Sequence, residues 1–168
     1  MLSGSVRHTV GMSRLAGRVR LLGHRRWFAR LGRALAPVDR ALGRLTRGRV
    51  VALGMRELPS MLLTTTGRRT GRPRTQPLLF APDGDGYAVV GSNWGQPHQP
   101  AWALNLVADP LAVVTVGGRR VPVRATLAAG AERERLLGLL LAVWPAYETY
   151  RLRAGDRTLM VFRLAPSR

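Results

Sequence analysis

Cysteine is absent from this 168-residue chain, which removes disulfides, thiolate metal sites and cysteine nucleophiles from consideration. Lysine is absent as well, so every one of the 27 basic residues is an arginine. Histidine occurs only at His8, His24 and His98, too scattered for a zinc site, and no metal is expected. Long apolar runs are also missing. Arg14, Arg18, Arg20, Arg25 and Arg26 interrupt every N-terminal candidate for a signal peptide, and no stretch approaches the roughly 18 apolar residues of a membrane span. The expected location is cytoplasmic, or peripheral at the inner face of the plasma membrane.

Acidic residues number nine, against which the arginines leave a formal charge of +18. Such a balance ordinarily suggests nucleic acid or an anionic membrane. An arginine-only composition rich in alanine, glycine and leucine is also what a GC-rich genome writes, so the total is discounted and the distribution counts. Asp39 is the only acidic residue before Glu57, while arginine recurs from Arg7 to Arg56. Nucleic-acid binders add stacking aromatics or a recognition helix, and neither is evident, so a nucleic-acid partner is disfavoured.

With 46% hydrophobic residues the chain can bury one sizeable core. Residues 1–36 read as a basic helical arm. Leu15, Val19 and Leu22 form one stripe, and Phe28, Leu31 and Leu35 another on the opposite side, which places a break near Gly23. The first piece suits an anionic membrane surface, with Trp27 and Phe28 as anchors, or a loosely packed arm. Pro37 opens a second short helix closed by Gly48, and residues 37–168 form the main domain.

Beyond that point strands dominate. Met61 to Thr66 and Arg74 to Ala81 flank a glycine-arginine loop, and the Asp83–Gly86 turn leads to a strand from Tyr87 to Gly91, which predicts three strands in meander order. Leu111 to Val116, apolar on both faces, is expected in the centre of the sheet. After Gly117-Gly118, the strand Arg120 to Leu127 points Val121, Val123, Ala125 and Leu127 inward. Glu132 to Trp144 is helical by the spacing of Leu136, Leu140 and Val143, and Thr158 to Leu164 supplies a sixth strand. Short strands with few helices predict a small, mainly β barrel with helical insertions.

Three clusters carry chemistry. In Thr64-Thr65-Thr66-Gly67-Arg68-Arg69-Thr70-Gly71-Arg72-Pro73-Arg74, the glycines permit backbone N–H groups to converge on one point, and guanidinium forks surround it as they would a phosphate or carboxylate. A solvated hairpin tip is the alternative. The second cluster runs from Gly91 to Trp102. Ser92 and Asn93 offer short polar groups for a ligand or for capping, Trp94 offers a flat wall, Trp102 reads as core, and His98 lacks the partners of a triad. Tyr147 and Tyr150 form the third; a helix puts both rings on one face, lining a pocket or packing in the core.

In this order the clusters resemble the deazaflavin-dependent nitroreductase family of actinobacteria, over roughly Arg40 to Leu164. The motifs are Leu62 to Arg74 with Pro77-Leu78, then Gly91-Ser92-Asn93 with Pro100-Ala101-Trp102 and Asn105-Leu106, then Pro145-Ala146-Tyr147 with Tyr150. The resemblance implies a split β-barrel of about six antiparallel strands, related to flavin-mononucleotide-binding oxidases. It implies coenzyme F420 as cofactor, with FMN or haem as the alternative ligand of such a barrel.

By the same resemblance Arg68, Arg69, Thr70, Gly71 and Arg74 would hold the coenzyme's phosphate and acidic tail. Thr75, Gln76, Pro77 and Leu78, with Ser92, Asn93, Trp94, Gly95, Gln96 and Pro97, would contact its ring through backbone groups. Ser92, Tyr147 and Tyr150 would serve the acceptor, a quinone, nitro compound or conjugated enone. Asn93 stands where many members have lysine, and Pro97-His98-Gln99-Pro100 where many read proline-lysine-histidine-proline. Barrels of this kind often pair, so a homodimer is a further expectation.

Overall fold

A computed structural model describes residues 58–167. The N-terminal arm and the helix opened by Pro37 lie outside the described residues. Seven antiparallel strands form one sheet: β1 (Ser60–Thr66), β2 (Pro73–Leu79), β3 (Ala81–Asp83), β4 (Gly86–Val90), β5 (Leu111–Val116), β6 (Arg119–Leu127) and β7 (Val161–Pro166). Three α-helices join them: α1 (Ala101–Ala108), α2 (Gly130–Val143) and α3 (Ala146–Arg153).

The spatial order is β2-β1-β5-β6-β7-β4-β3. Its two ends are neighbours in sequence, since Phe80 alone separates β2 from β3. A flat sheet cannot satisfy that connection, so the sheet curls until its edges meet. Phe80 marks the seam, its N–H donating to the Pro59 carbonyl at 3.1 Å while its ring packs edge-on against Tyr87 at 5.2 Å. The result is the split barrel expected from the resemblance.

Closure corrects the expected meander. The single strand Arg74 to Ala81 is broken at Phe80, and β4 pairs with β3 and β7 rather than with β2, which gives seven strands instead of six. β5 lies between β1 and β6 as expected, but only Ala112 and Val114 are fully buried and Leu111 is 50% exposed. In β6, Val123 and Ala125 turn inward; Leu127 does not follow them into the core and stays 49% exposed, because it ends the strand at the rim. β7 begins at Val161, later than expected, and the segment before it serves a loop described below.

Two cores result. Inside the barrel, Met61, Leu63, Val89, Val114, Val123, Phe162 and Leu164 pack around α1 through Trp102, Ala103 and Leu106. Outside it, Leu136, Leu137 and Leu140 of α2 and Tyr147 and Tyr150 of α3 cover Ala88, Val90 and Val161. Proline sets the helix boundaries: Pro100 precedes α1, Pro110 follows it, and Pro145 separates α2 from α3. Helix α3 also has Glu148 in its first turn and Arg151 and Arg153 in its last, matching the helix dipole.

Candidate functional site

The arginine loop, residues 67–72, is a hairpin connection whose strands pair from Thr66↔Pro73 to Ser60↔Leu79. Its backbone is largely self-satisfied. Gly67 N–H donates to Arg72 O at 2.9 Å, Gly71 N–H to Gly67 O at 2.8 Å, Thr70 N–H to Gly67 O at 2.9 Å and Arg72 N–H to Thr70 Oγ1 at 3.4 Å. The expected convergence of free N–H groups is therefore not made. What the loop presents are side chains: Arg68, Arg69, Arg72 and Arg74 are exposed.

Asn105 fixes this loop from below. It is 3% exposed, its Oδ1 accepts the Arg68 N–H at 3.2 Å and the Arg68 Nη1 at 3.3 Å, and its Nδ2 donates to Thr65 Oγ1 at 3.0 Å. A buried amide on α1 thus holds both the backbone and the fork of Arg68. The ion pairs found among the described residues gather elsewhere, on Asp83, Asp85, Glu132, Glu134 and Glu148. Guanidinium groups clustered without acidic neighbours suit an anionic ligand. Beside them β2, with Thr75, Gln76, Pro77 and Leu78, pairs only with β1 among the described strands, so half its backbone groups face away from the ladder.

The second cluster forms a turn between β4 and α1. Asn93, Trp94 and Gly95 have φ of 45°, 56° and 76°, three consecutive left-handed residues of which only one is glycine. Each non-glycine residue there costs about 1–2 kcal/mol, so the surroundings must enforce the turn. Gly95 shows how tightly they do: a Cβ would lie 2.7 Å from Arg153 Cβ and 2.9 Å from Tyr150 O. Asn93 Nδ2 ties the turn to His98 O at 3.0 Å, and both His98 and Pro97 are exposed. Ser92, Trp94 and Gln96 are half-buried.

The tyrosines adjoin this turn. Trp94 and Tyr150 have ring centroids 5.8 Å apart, Tyr147 and Tyr150 6.2 Å, and the tyrosines are 6% and 2% exposed. Burial pushes the Tyr147 phenol far above its ordinary value, with Tyr150 adding to the effect. Burial also raises Tyr150, against a hydrogen bond from the Trp144 indole and the positive charge of Arg153. Both phenols stay protonated at neutral pH and can donate a hydrogen bond, while burial makes each a weaker acid than a free phenol.

The three sequence clusters are thus joined through the middle one. Asn105, on the helix it leads into, holds the arginine loop, and Trp94 and Gly95 hold the tyrosines. Trp102, read as core, is 6% exposed in the barrel core.

A family model of F420H(2)-dependent quinone reductases matches residues 38–166. The chain belongs to this family. Its membership bears out the resemblance read from the motifs and makes the chain an F420-dependent oxidoreductase acting on a small-molecule acceptor. An F420H(2)-dependent quinone reductase of Mycobacterium tuberculosis is 42% identical to it over 101 residues, 60% of this chain and 68% of that one. The solved structure of an F420-H2-dependent reductase is 34% identical, with a TM-score of 0.59 over 63% of this chain and 93% of that chain. A second, described as a domain-swapped dimer, is 32% identical, with a TM-score of 0.60 over 76% and 96%.

Sequence reasoning missed two residues that hold these loops: Asn105 under the arginine loop, and Arg157, which donates to the Gly91, Ser92 and Gln96 carbonyls of the turn. Asn105 was visible only as part of a motif, without its role. Arg157 carried no signal, being one arginine among 27.

Proposed function

We propose that the arginine loop holds the acidic handle of F420 through Arg68, Arg69, Thr70, Gly71 and Arg74. In this reading β2, from Thr75 to Leu78, and the turn from Ser92 to Pro97 border its ring. The cluster of exposed guanidiniums, free of acidic partners among the described residues and anchored by Asn105, carries this reading. When bound, the reduced deazaflavin supplies a hydride to an electron-poor acceptor. The chain's own residues then orient the ring, keep water from it and meet the charge that develops on the acceptor.

Ser92 lies on the acceptor side as a hydroxyl that positions the substrate oxygen. Tyr147 and Tyr150 stand as hydroxyl donors to the acceptor oxygen, and a phenol or a bound water delivers the proton. A quinone suits this chemistry, since its reduction needs one hydride and one proton and no acid-base dyad. The protein acts in the cytoplasm as a homodimer, and its basic arm touches the inner face of the plasma membrane. Among the described residues no helix is long and apolar enough to cross a membrane.

Quenching of F420 fluorescence on titration with the protein tests the first element. Saturable binding that weakens with salt is expected; no detectable complex at modest ionic strength removes the proposal. Co-sedimentation with anionic liposomes, comparing the full chain with one begun at Arg40, tests the arm. Only the full chain is expected to pellet.

A further inference from the structure

Four carbonyl or amide oxygens around the left-handed turn converge on one side chain from the far end of the chain. Arg157 donates from Nε to Gln96 O at 2.8 Å, from Nη1 to Gly91 O at 2.9 Å and to Gln99 Oε1 at 3.0 Å, and from Nη2 to Ser92 O at 2.7 Å. All three nitrogens of the guanidinium are engaged, and all four acceptors belong to residues 91–99. Gln99 closes the arrangement from the other side, its Nε2 donating to Thr158 O at 2.8 Å. None of the ion pairs among the described residues involves Arg157. Partial burial lowers the pKa of this arginine, a cost that a merely decorative surface residue would avoid by turning outward.

We propose that Arg157 is a positioning residue for hydride transfer, its planar fork holding the strained turn Asn93–Gly95 so that Trp94 keeps its place beside Tyr150 and Ser92 its place at the head of the turn. This rests on the function proposed above and adds to it the residue that sets the geometry of the acceptor side. The turn has a reason to need such a device. Asn93 and Trp94, in left-handed conformation, relax once the flanking carbonyls of Ser92 and Gln96 lose Arg157, because the local hydrogen bonds, Gly95 N–H to Ser92 O, Gln96 N–H to Asn93 O and Asn93 Nδ2 to His98 O, are few. A lysine at this position brings one compact ammonium, which cannot span the carbonyls of Gly91, Ser92 and Gln96 together.

The test uses the full chain with Arg157→Ala and Arg157→Lys, and Trp94→Phe to assign the Trp94 emission. Without cofactor, Arg157→Ala is expected to shift Trp94 emission to the red and raise its quenching by acrylamide. Guanidinium at low millimolar concentration should reverse both changes, and methylammonium should not. With reduced F420 and menadione, kcat is expected to fall about tenfold or more while the Kd for F420, set mainly by the arginine loop, changes less than about tenfold.

Native Trp94 emission with unchanged kcat in Arg157→Ala overturns the proposal. Full restoration by Arg157→Lys overturns it too, since charge alone would then suffice. Where circular dichroism shows the alanine variant unfolded, Arg157→Lys is read alone: altered Trp94 emission and lowered kcat support the fork, and wild-type values sink it. If the wild-type chain reduces no menadione but Trp94 responds as described, the proposed function fails and the clamp on the turn stands.

Discussion

The arginine loop and the left-handed turn are both short, irregular connections built from glycine and polar residues, yet they use arginine in opposite ways. In the first, the backbone is satisfied within the loop and by Asn105, and the guanidiniums are exposed, with Arg68 alone anchored through Nη1 to that asparagine. In the second, the backbone is strained and an arginine from elsewhere in the chain spends its donors on the loop's own carbonyls. One is a receptor and the other a brace. A charge total does not tell them apart; the location of acceptors does.

The comparison breaks most sharply if the outward arginines prove dispensable. Arg68→Ala combined with Arg74→Ala removes two charge-assisted contacts worth about 1.5–3 kcal/mol each, so F420 affinity should drop on the order of 100-fold or more in a fluorescence titration. Unchanged affinity would move the coenzyme elsewhere. Next comes the brace's tightest point. Gly95→Ala places a Cβ against Arg153 and Tyr150 at a φ of +76°, and should cost about 2–4 kcal/mol in urea unfolding.

A smaller effect is expected where the two regions join. Asn105→Ala leaves Thr65 and the Arg68 N–H without their buried partner, costing about 1–3 kcal/mol of stability. It should also weaken F420 binding several-fold while leaving Trp94 emission unchanged, which separates receptor from brace.

The smallest effect lies outside both. A hydrogen bond from Arg135 is the main reason Asp83 titrates below 3.8, with Arg163 assisting against the cost of burial. A depressed folded value means that this carboxylate's contribution is present above about pH 4 and is lost as pH falls through that lower value. Asp83→Asn should therefore lower thermal stability modestly at neutral pH, flatten the acid limb of the profile, and bring variant and wild type together at the acid end.

Local chemistry made much of this legible. Thr64 to Thr66 and Val121 to Ala125 announce strands through β-branched residues and alternation, and the prolines bracket the helices. The break at Phe80 was not legible, because Leu78-Leu79-Phe80-Ala81 is one apolar run and only closure of the barrel decides where it bends. Likewise the arginine loop announced its charges but not its backbone, whose donors are taken by Thr70 and by an asparagine 37 residues away. Arg157 reaches partners 58 to 66 residues distant. No window of sequence contains that contact.

The seam at Phe80 bears on how the molecule assembles. A barrel whose margins were joined by a long excursion would have to confine that excursion before the cylinder could shut. Here the first hairpin, on forming, carries the opposite margin with it by a single residue. The cylinder's circumference is thereby set by covalent arithmetic, and an insertion between Leu79 and Ala81 should loosen the whole wall far more than one of equal length at Gly84 or Gly117.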